Sequence, residues 1–198
     1  METTQVQERV GMPLAEFIAE YEQQPFELIN GERIIKMPGV FSHIMMIRLL
    51  FRLLDHYAQA HQLGEVFQEA TFILPNSDAS DWVKGSRVPD ILFISAAQMT
   101  AYLQQTQEIE GRPIALIPDL VIEVVSPNDS YSAIDAKVDL YLADGVQVVW
   151  ICDPQRRKVR VHTLTGVMTL TGEMPLNGGD VLPGFEVALT EIFAAPTA

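Results

Sequence analysis

The chain has 198 residues, 48% hydrophobic and 20% charged, enough for one well-buried domain and too few for two of ordinary size. Its formal net charge of −13 repels polyanions overall, which argues against nucleic-acid binding by phosphate neutralisation alone without excluding a local basic patch or a metal-mediated contact. No apolar stretch reaches the roughly 18 residues of a membrane span, METTQVQERVGMPLAEF lacks a basic region followed by an apolar one, and the single Cys152 allows no internal disulfide, so a cytoplasmic protein without membrane contact is expected.

Residues 1 to 12 read as a flexible leader and 13 to 198 as a single domain. PLAEFIAEYEQQ carries Leu14, Phe17, Ile18 and Tyr21 at helical spacing behind Pro13, predicting a short amphipathic helix. FELINGERIIKM follows, and its Asn30-Gly31 pair is a hairpin signal because both residues tolerate the positive φ of a tight turn. FSHIMMIRLLFRLLDHYAQAHQL predicts a central helix capped by Ser42 and closed near Gly64, with Arg48, Arg52 and His56 as a polar stripe at i, i+4 and i+8. EVFQEATFIL reads as one strand, residues 75 to 87 as a polar loop, VPDILFIS as a second strand, and SAAQMTAYLQQ as a helix capped by Ser95. PDLVIEVVSP is a third strand. NDSYSAIDAKVDLYLADG is a helix ending at Gly145, and VQVVWICD, KVRVHTL, GVMTL and FEVAL are further strands separated by turns. The order predicts an α/β (α+β) fold: a mixed sheet flanked by helices, an N-terminal hairpin and a C-terminal β-meander.

Glu123 is the residue that chemistry must explain. It stands inside the apolar run of PDLVIEVVSP, and a carboxylate buried without a partner costs several kcal/mol, so it needs a cation, hydrogen bonds or a proton. Period two places Asp119, Val121, Glu123 and Val125 on one face. Asp90 stands in a neighbouring apolar strand, and two carboxylates on adjacent strands can converge on a hard divalent cation such as Mg²⁺ or Mn²⁺. Asp90 and Asp119 also read simply as turn residues at strand entries, where Pro-Asp is common, Asp119 the more so because it adjoins a loop. On the following helix Lys137 shares the spacing of Ile134, Val138 and Tyr141, so its ammonium either snorkels to water or meets an anion, Glu123 being the economical partner. Arg156, Arg157, Lys158 and Arg160 form the one dense basic patch, a hairpin tip that is either solvated or in contact with a phosphate backbone. Trp82, in a polar loop, suits stacking on a base or an interface; Trp150 and Cys152 read as core residues.

RVPDILFIS together with PDLVIEVVSPNDS, AIDAKVDLYLADGVQVVWICDP, PFELINGERIIKMPGVFSHIMMIRLL and VLPGFEVALTEIF resembles the Uma2 family within the PD-(D/E)xK restriction-endonuclease-like superfamily, over nearly the whole chain. The resemblance implies a restriction-endonuclease-like core and metal-dependent phosphodiester hydrolysis at Asp90 and Glu123. Position 125, where the superfamily pattern places a lysine, is Val, and Lys137 matches the lysine of the family pattern instead. Glu27 and His43 also match recurrent family positions, as groups near the metal. The expectation is a Mg²⁺-dependent (or Mn²⁺-dependent) DNA endonuclease, a homodimer because cutting two antiparallel strands suits two-fold symmetry. A non-catalytic binding or regulatory protein that keeps the fold, and a metal-dependent hydrolase of a smaller phosphodiester, stay open beside it.

Overall fold

Strand formation in this chain follows the apolar runs, and period two decides which layer each side chain joins. The computed structural model describes residues 10–35, 39–74, 81–106, 111–127 and 129–194. In chain order the elements are β1 (Met12–Pro13), α1 (Leu14–Gln23), β2 (Phe26–Ile29), β3 (Glu32–Ile35), α2 (Phe41–His61), β4 (Gly64–Gln68), β5 (Phe72–Ile73), β6 (Trp82–Val83), β7 (Ser86–Arg87), β8 (Ile91–Ser95), α3 (Ala96–Gln105), β9 (Leu120–Val124), α4 (Tyr131–Asp144), β10 (Val148–Asp153), β11 (Lys158–Thr163), β12 (Gly166–Thr171), β13 (Pro175–Asn177), β14 (Glu186–Ala188) and α5 (Leu189–Ile192).

The main sheet has six strands in the order β12-β11-β10-β9-β8-β4. Only β9 and β10 run parallel, joined by α4 as a crossover; the other neighbours are antiparallel. Leu120, Ile122 and Val124 of β9 point to one face, where they pack with Ile47, Leu50, Leu54 and Ala58 of α2 and with Leu189 and Ile192 of α5. Val121 points to the other, against Ile134, Val138 and Tyr141 of α4. The result is a mixed sheet between helical layers, as expected for an α/β (α+β) chain. Full burial of each such aliphatic side chain stabilises by roughly 1.5–3 kcal/mol. A satellite core of Leu14, Phe17, Phe26, Leu28, Ile73 and Val83 anchors α1 and the β2–β3 hairpin.

Several local expectations are met in detail. Asn30 (φ 52°) and Gly31 (φ 85°) form the left-handed hairpin turn. Ser130 caps α4 by accepting from the Ala133 amide at 3.2 Å, and Gly145 ends it at φ 106°.

Others are corrected. The cap of α2 is Val40, so Ser42 lies within the first turn, and the left-handed residue closing the helix is Gln62 rather than a glycine. The strand expected over EVFQEATFIL is two, β4 and β5, because Glu69 takes φ 50° between them. Ser95 holds the cap position of α3 but its hydroxyl makes no capping bond; instead Asp119 Oδ2 accepts from the Ser95 amide at 2.7 Å. The stretch read as a polar loop contains β6 and β7, with Ser86 and Arg87 buried; its residues 75–80 lie outside the described residues. The C-terminal meander is confined to β10–β11–β12, and β13 and β14 form a separate two-stranded ribbon. Of the leader, residues 1–9 lie outside the described residues, while Met12 pairs with Val83 and the Trp82 indole donates to the Val10 carbonyl at 2.9 Å.

Candidate active site

The antiparallel register of β8 on β9 pairs Ile91 with Ile122, and one further step sets Asp90 opposite Glu123. Asp90 is 2% exposed, and its Oδ2 accepts from the Val124 amide at 2.8 Å. Its Oδ1 lies 3.4 Å from Nε2 of His43, in the first turn of α2. Glu27 approaches from the N-terminal hairpin: it is buried in β2, and its Oε1 accepts from the Val88 amide at 2.9 Å, two residues before Asp90. Five of the residues singled out in the sequence, Glu27, His43, Asp90, Glu123 and Lys137, therefore gather at one end of β8 and β9.

Glu123 faces α4, as its alternation with Val121 requires. Lys137 Nζ donates to both Glu123 carboxylate oxygens, each at 3.2 Å, and the Tyr141 hydroxyl donates to Oε1 at 2.6 Å. Lys137 and Tyr141 are four residues apart and hence neighbours on one helical face. Tyr141 escaped the sequence reading as anything but an apolar stripe residue; the available signal was that a buried tyrosine needs a partner for its hydroxyl. A cleft of about 70 Å³, lined by Glu123, Val125, Asp129, Ala133 and Lys137 among others, opens onto the pair.

Burial raises the Glu123 carboxyl from 4.5 to about 7; Lys137 opposes the rise, Asp90 adds to it, the Tyr141 hydrogen bond opposes it and Glu27 adds to it. For Lys137, burial works against the charge but is outweighed by Glu123, Glu27 and Asp90, so its pKa is raised and the ammonium stays protonated. Burial, then Glu123, pushes the Tyr141 phenol well above its usual range, so it is a hydrogen-bond donor throughout the physiological window. The cluster is thus rich in carboxylates, with Lys137 and Tyr141 as the donors to Glu123. Burial, helped by Asp90, pushes the Cys152 thiol up to about 12, which makes it an inert core residue.

Among the described residues, no group of three or more His, Cys, Asp and Glu side chains is placed to hold a metal ion. The donor set nevertheless suits Mg²⁺ or Mn²⁺, hard ions commonly held by one or two carboxylates with substrate phosphate completing the shell. Asp90 and Glu123 are the two carboxylates that would hold such an ion.

The other residues have separate work. Asp119 accepts from the Ser95 amide, from Gln98 Nε2 at 2.8 Å and from Gln147 Nε2 at 2.5 Å, a structural clamp between α3 and the start of β10. Arg156 and Arg157 lie in the β10–β11 turn and Lys158 opens β11. Arg156 is paired with Asp153 at 3.2 Å, its guanidinium lies 5.0 Å from the ring centroid of Tyr131, and Lys158 Nζ lies 5.8 Å from the same ring. Tyr131 opens α4, so the turn rests on the helix that carries Lys137. Arg160 pairs with Asp135 of α4 at 3.1 Å.

No curated protein matches the chain. Among solved structures it is similar to one described as "a putative nuclease belonging to DUF820" from Anabaena variabilis ATCC 29413, with 20% identity, a TM-score of 0.69, and coverage of 89% of this chain and 96% of that one. That likeness establishes the shared fold. The family model for Uma2, described as "Putative restriction endonuclease", matches residues 14–190, a span that takes in Glu27, His43, Asp90, Glu123 and Lys137. The chain belongs to the Uma2 family.

Proposed function

We propose that the chain is a divalent-metal-dependent nuclease that hydrolyses phosphodiester bonds of DNA at the cluster of Asp90, Glu123 and Lys137. The observation that carries the proposal is the bidentate contact of Lys137 with a largely buried, carboxylate-crowded Glu123, 12% exposed, at the mouth of a cleft. Membership of a family described as "Putative restriction endonuclease" supports the reaction class.

Asp90 and Glu123 would hold Mg²⁺ or Mn²⁺, which when bound polarises a phosphoryl oxygen and acidifies a water. Lys137, protonated and compact, orients the attacking water or stabilises charge growing on the phosphate. Tyr141 holds Glu123 in place by its hydroxyl, and His43 steadies Oδ1 of Asp90. Lys137 thereby takes the part of the lysine that Val125 does not supply.

Calorimetric titration of Mn²⁺ and Mg²⁺ into the wild-type protein and the Glu123→Ala and Asp90→Ala variants tests the reading, followed by cleavage assays on plasmid and on a small phosphodiester. Saturable binding lost in both variants, with cleavage of plasmid, is expected. Wild-type protein that binds neither ion, even with a non-cleavable oligonucleotide present, would favour a binding protein that keeps the fold. Turnover of the small diester without plasmid cleavage would move the substrate class instead.

A further inference from the structure

A second cavity lies on the other side of the sheet from Lys137. It is a groove of about 510 Å³ between α2, α5 and the start of the β10–β11 turn, within the range of small-ligand sites. Its floor is apolar, with Met45, Leu49 and Phe193 among the lining residues. Phe41, Met45, Arg48, Leu49 and Arg52 recur on one face of α2, while Ile47, Leu50 and Leu54 of the same helix are buried in the core. The groove therefore has its own helical face, and Arg48 and Arg52 of the polar stripe legible in the sequence form its rim.

Two features of that rim point to a ligand. Arg48 and Arg52 are exposed, one turn apart, and neither makes an ion pair or hydrogen bond among the described residues, although the chain carries a net charge of −13. Phe41 is 75% exposed at the groove's end, an unusual position for a large ring. Glu191 also lines the groove and tempers its charge, but it forms no ion pair with either arginine. Pro154 closes one wall and leads directly to Arg156 and Arg157.

The geometry points to a binding site for an unpaired nucleotide of single-stranded nucleic acid, its base seated against Phe41 and the apolar floor and its backbone phosphates on Arg48 and Arg52. A flat aromatic surface, an apolar slot and cations spaced along one helix are what such a strand requires. The inference rests on the nuclease reading for its relevance, because α2 also carries His43 onto Asp90. At 1.5 Å per residue, Arg48 and Arg52 stand roughly 7.5 and 13.5 Å along the helix from His43, a reach of one to a few nucleotides from the carboxylates.

Fluorescence anisotropy with a 5′-labelled single-stranded oligo-dT, in a chelator so that no metal chemistry intervenes, tests the site on the 198-residue chain. All three side chains are exposed, so the variants should fold, and thermal melts check this. Arg48→Gln/Arg52→Gln is expected to weaken binding and to reduce the slope of log affinity against log salt by about 1.4, two single-strand phosphate contacts. Phe41→Ala is expected to weaken binding about fivefold or more with the slope unchanged, and Phe41→Tyr to restore it. Unchanged affinity in both variants overturns the proposal, as does a duplex of equal length that competes as well as the single strand, or a wild-type protein that does not bind. A Phe41→Ala variant that turns a dimer into a monomer with oligonucleotide affinity intact would assign the groove to a second copy. Oligonucleotide binding through these residues without Mn²⁺ binding or cleavage would remove the nuclease reading and leave the groove. Cleavage with wild-type KM in all variants would do the reverse.

Discussion

Replacing Glu123 by Gln should make the protein more stable at pH 8 while abolishing metal binding. The carboxyl titrates near 4.5 when exposed and at about 7 in the folded chain, chiefly because it is buried. A carboxyl whose folded pKa is raised contributes stability that is fully present below pH 4.5 and is lost as pH rises through about 7, because over that window the folded state binds more protons than the unfolded one. At 1.36 kcal/mol per tenfold change, the ionised Glu123 costs the fold about 3 kcal/mol at pH 8. Glutamine keeps the shape, still accepts from Tyr141, and frees Lys137, more than a third exposed, to turn toward water. Urea unfolding of both proteins between pH 5 and 8 is the assay, and the advantage of the variant should grow by about 2–3 kcal/mol across that range. In a domain of this size that is a Tm gain of very roughly 5–10 °C at pH 8. A difference that does not change with pH, or a variant less stable at pH 8, would show that Glu123 is not held in the strained ionisation state on which the metal proposal draws.

Lys137→Ala should leave Mn²⁺ binding measurable by calorimetry but remove plasmid cleavage, with a stability loss of only about 1 kcal/mol because the ammonium is partly solvated; surviving cleavage would refute its assigned role. Tyr141→Phe removes the 2.6 Å bond that opposes the rise of the Glu123 carboxyl, so the pH profile of metal affinity should move to more alkaline values, with about 1–2 kcal/mol lost in denaturant unfolding. Asp119→Ala strips three donors of their acceptor and should cost about 2–4 kcal/mol by the same measurement while Mn²⁺ affinity stays at the wild-type value; a lost metal site would contradict its purely structural placement. Metal binding itself should release protons near pH 7, read from the buffer dependence of the calorimetric heat, and weaken as pH falls below it.

The candidate site was legible wherever a residue type conflicted with its pattern. A glutamate in an apolar strand and a lysine on an apolar helical face each demanded a partner, and the structure gives them one another. What period and spacing could not supply was the rotation of α4 over the sheet, on which the meeting depends. Asp119 looked like a turn residue because its three donors come from the end of β8, from α3 and from the segment before β10, contacts made only by tertiary packing. The break at Glu69 was invisible for a similar reason: glutamate carries no turn signature, and its positive φ is imposed by the need to start β5 in a different sheet. In α2 the arginine stripe was readable, but not the groove beside it, since α5 and Pro154 arrive there from far along the chain.

The crossover β9–α4–β10 has a consequence for how the protein comes to be folded. Glu123 is separated from Lys137 by 14 positions and from Tyr141 by 18, whereas 34 separate Asp90 from the Val124 amide it holds and 61 separate Glu27 from Val88. Contacts of short separation require little loop closure and form early. The cation that accompanies Glu123 is therefore built into the same contiguous unit as the strand that buries it, so the carboxylate has company before the remaining layers of the domain close over it.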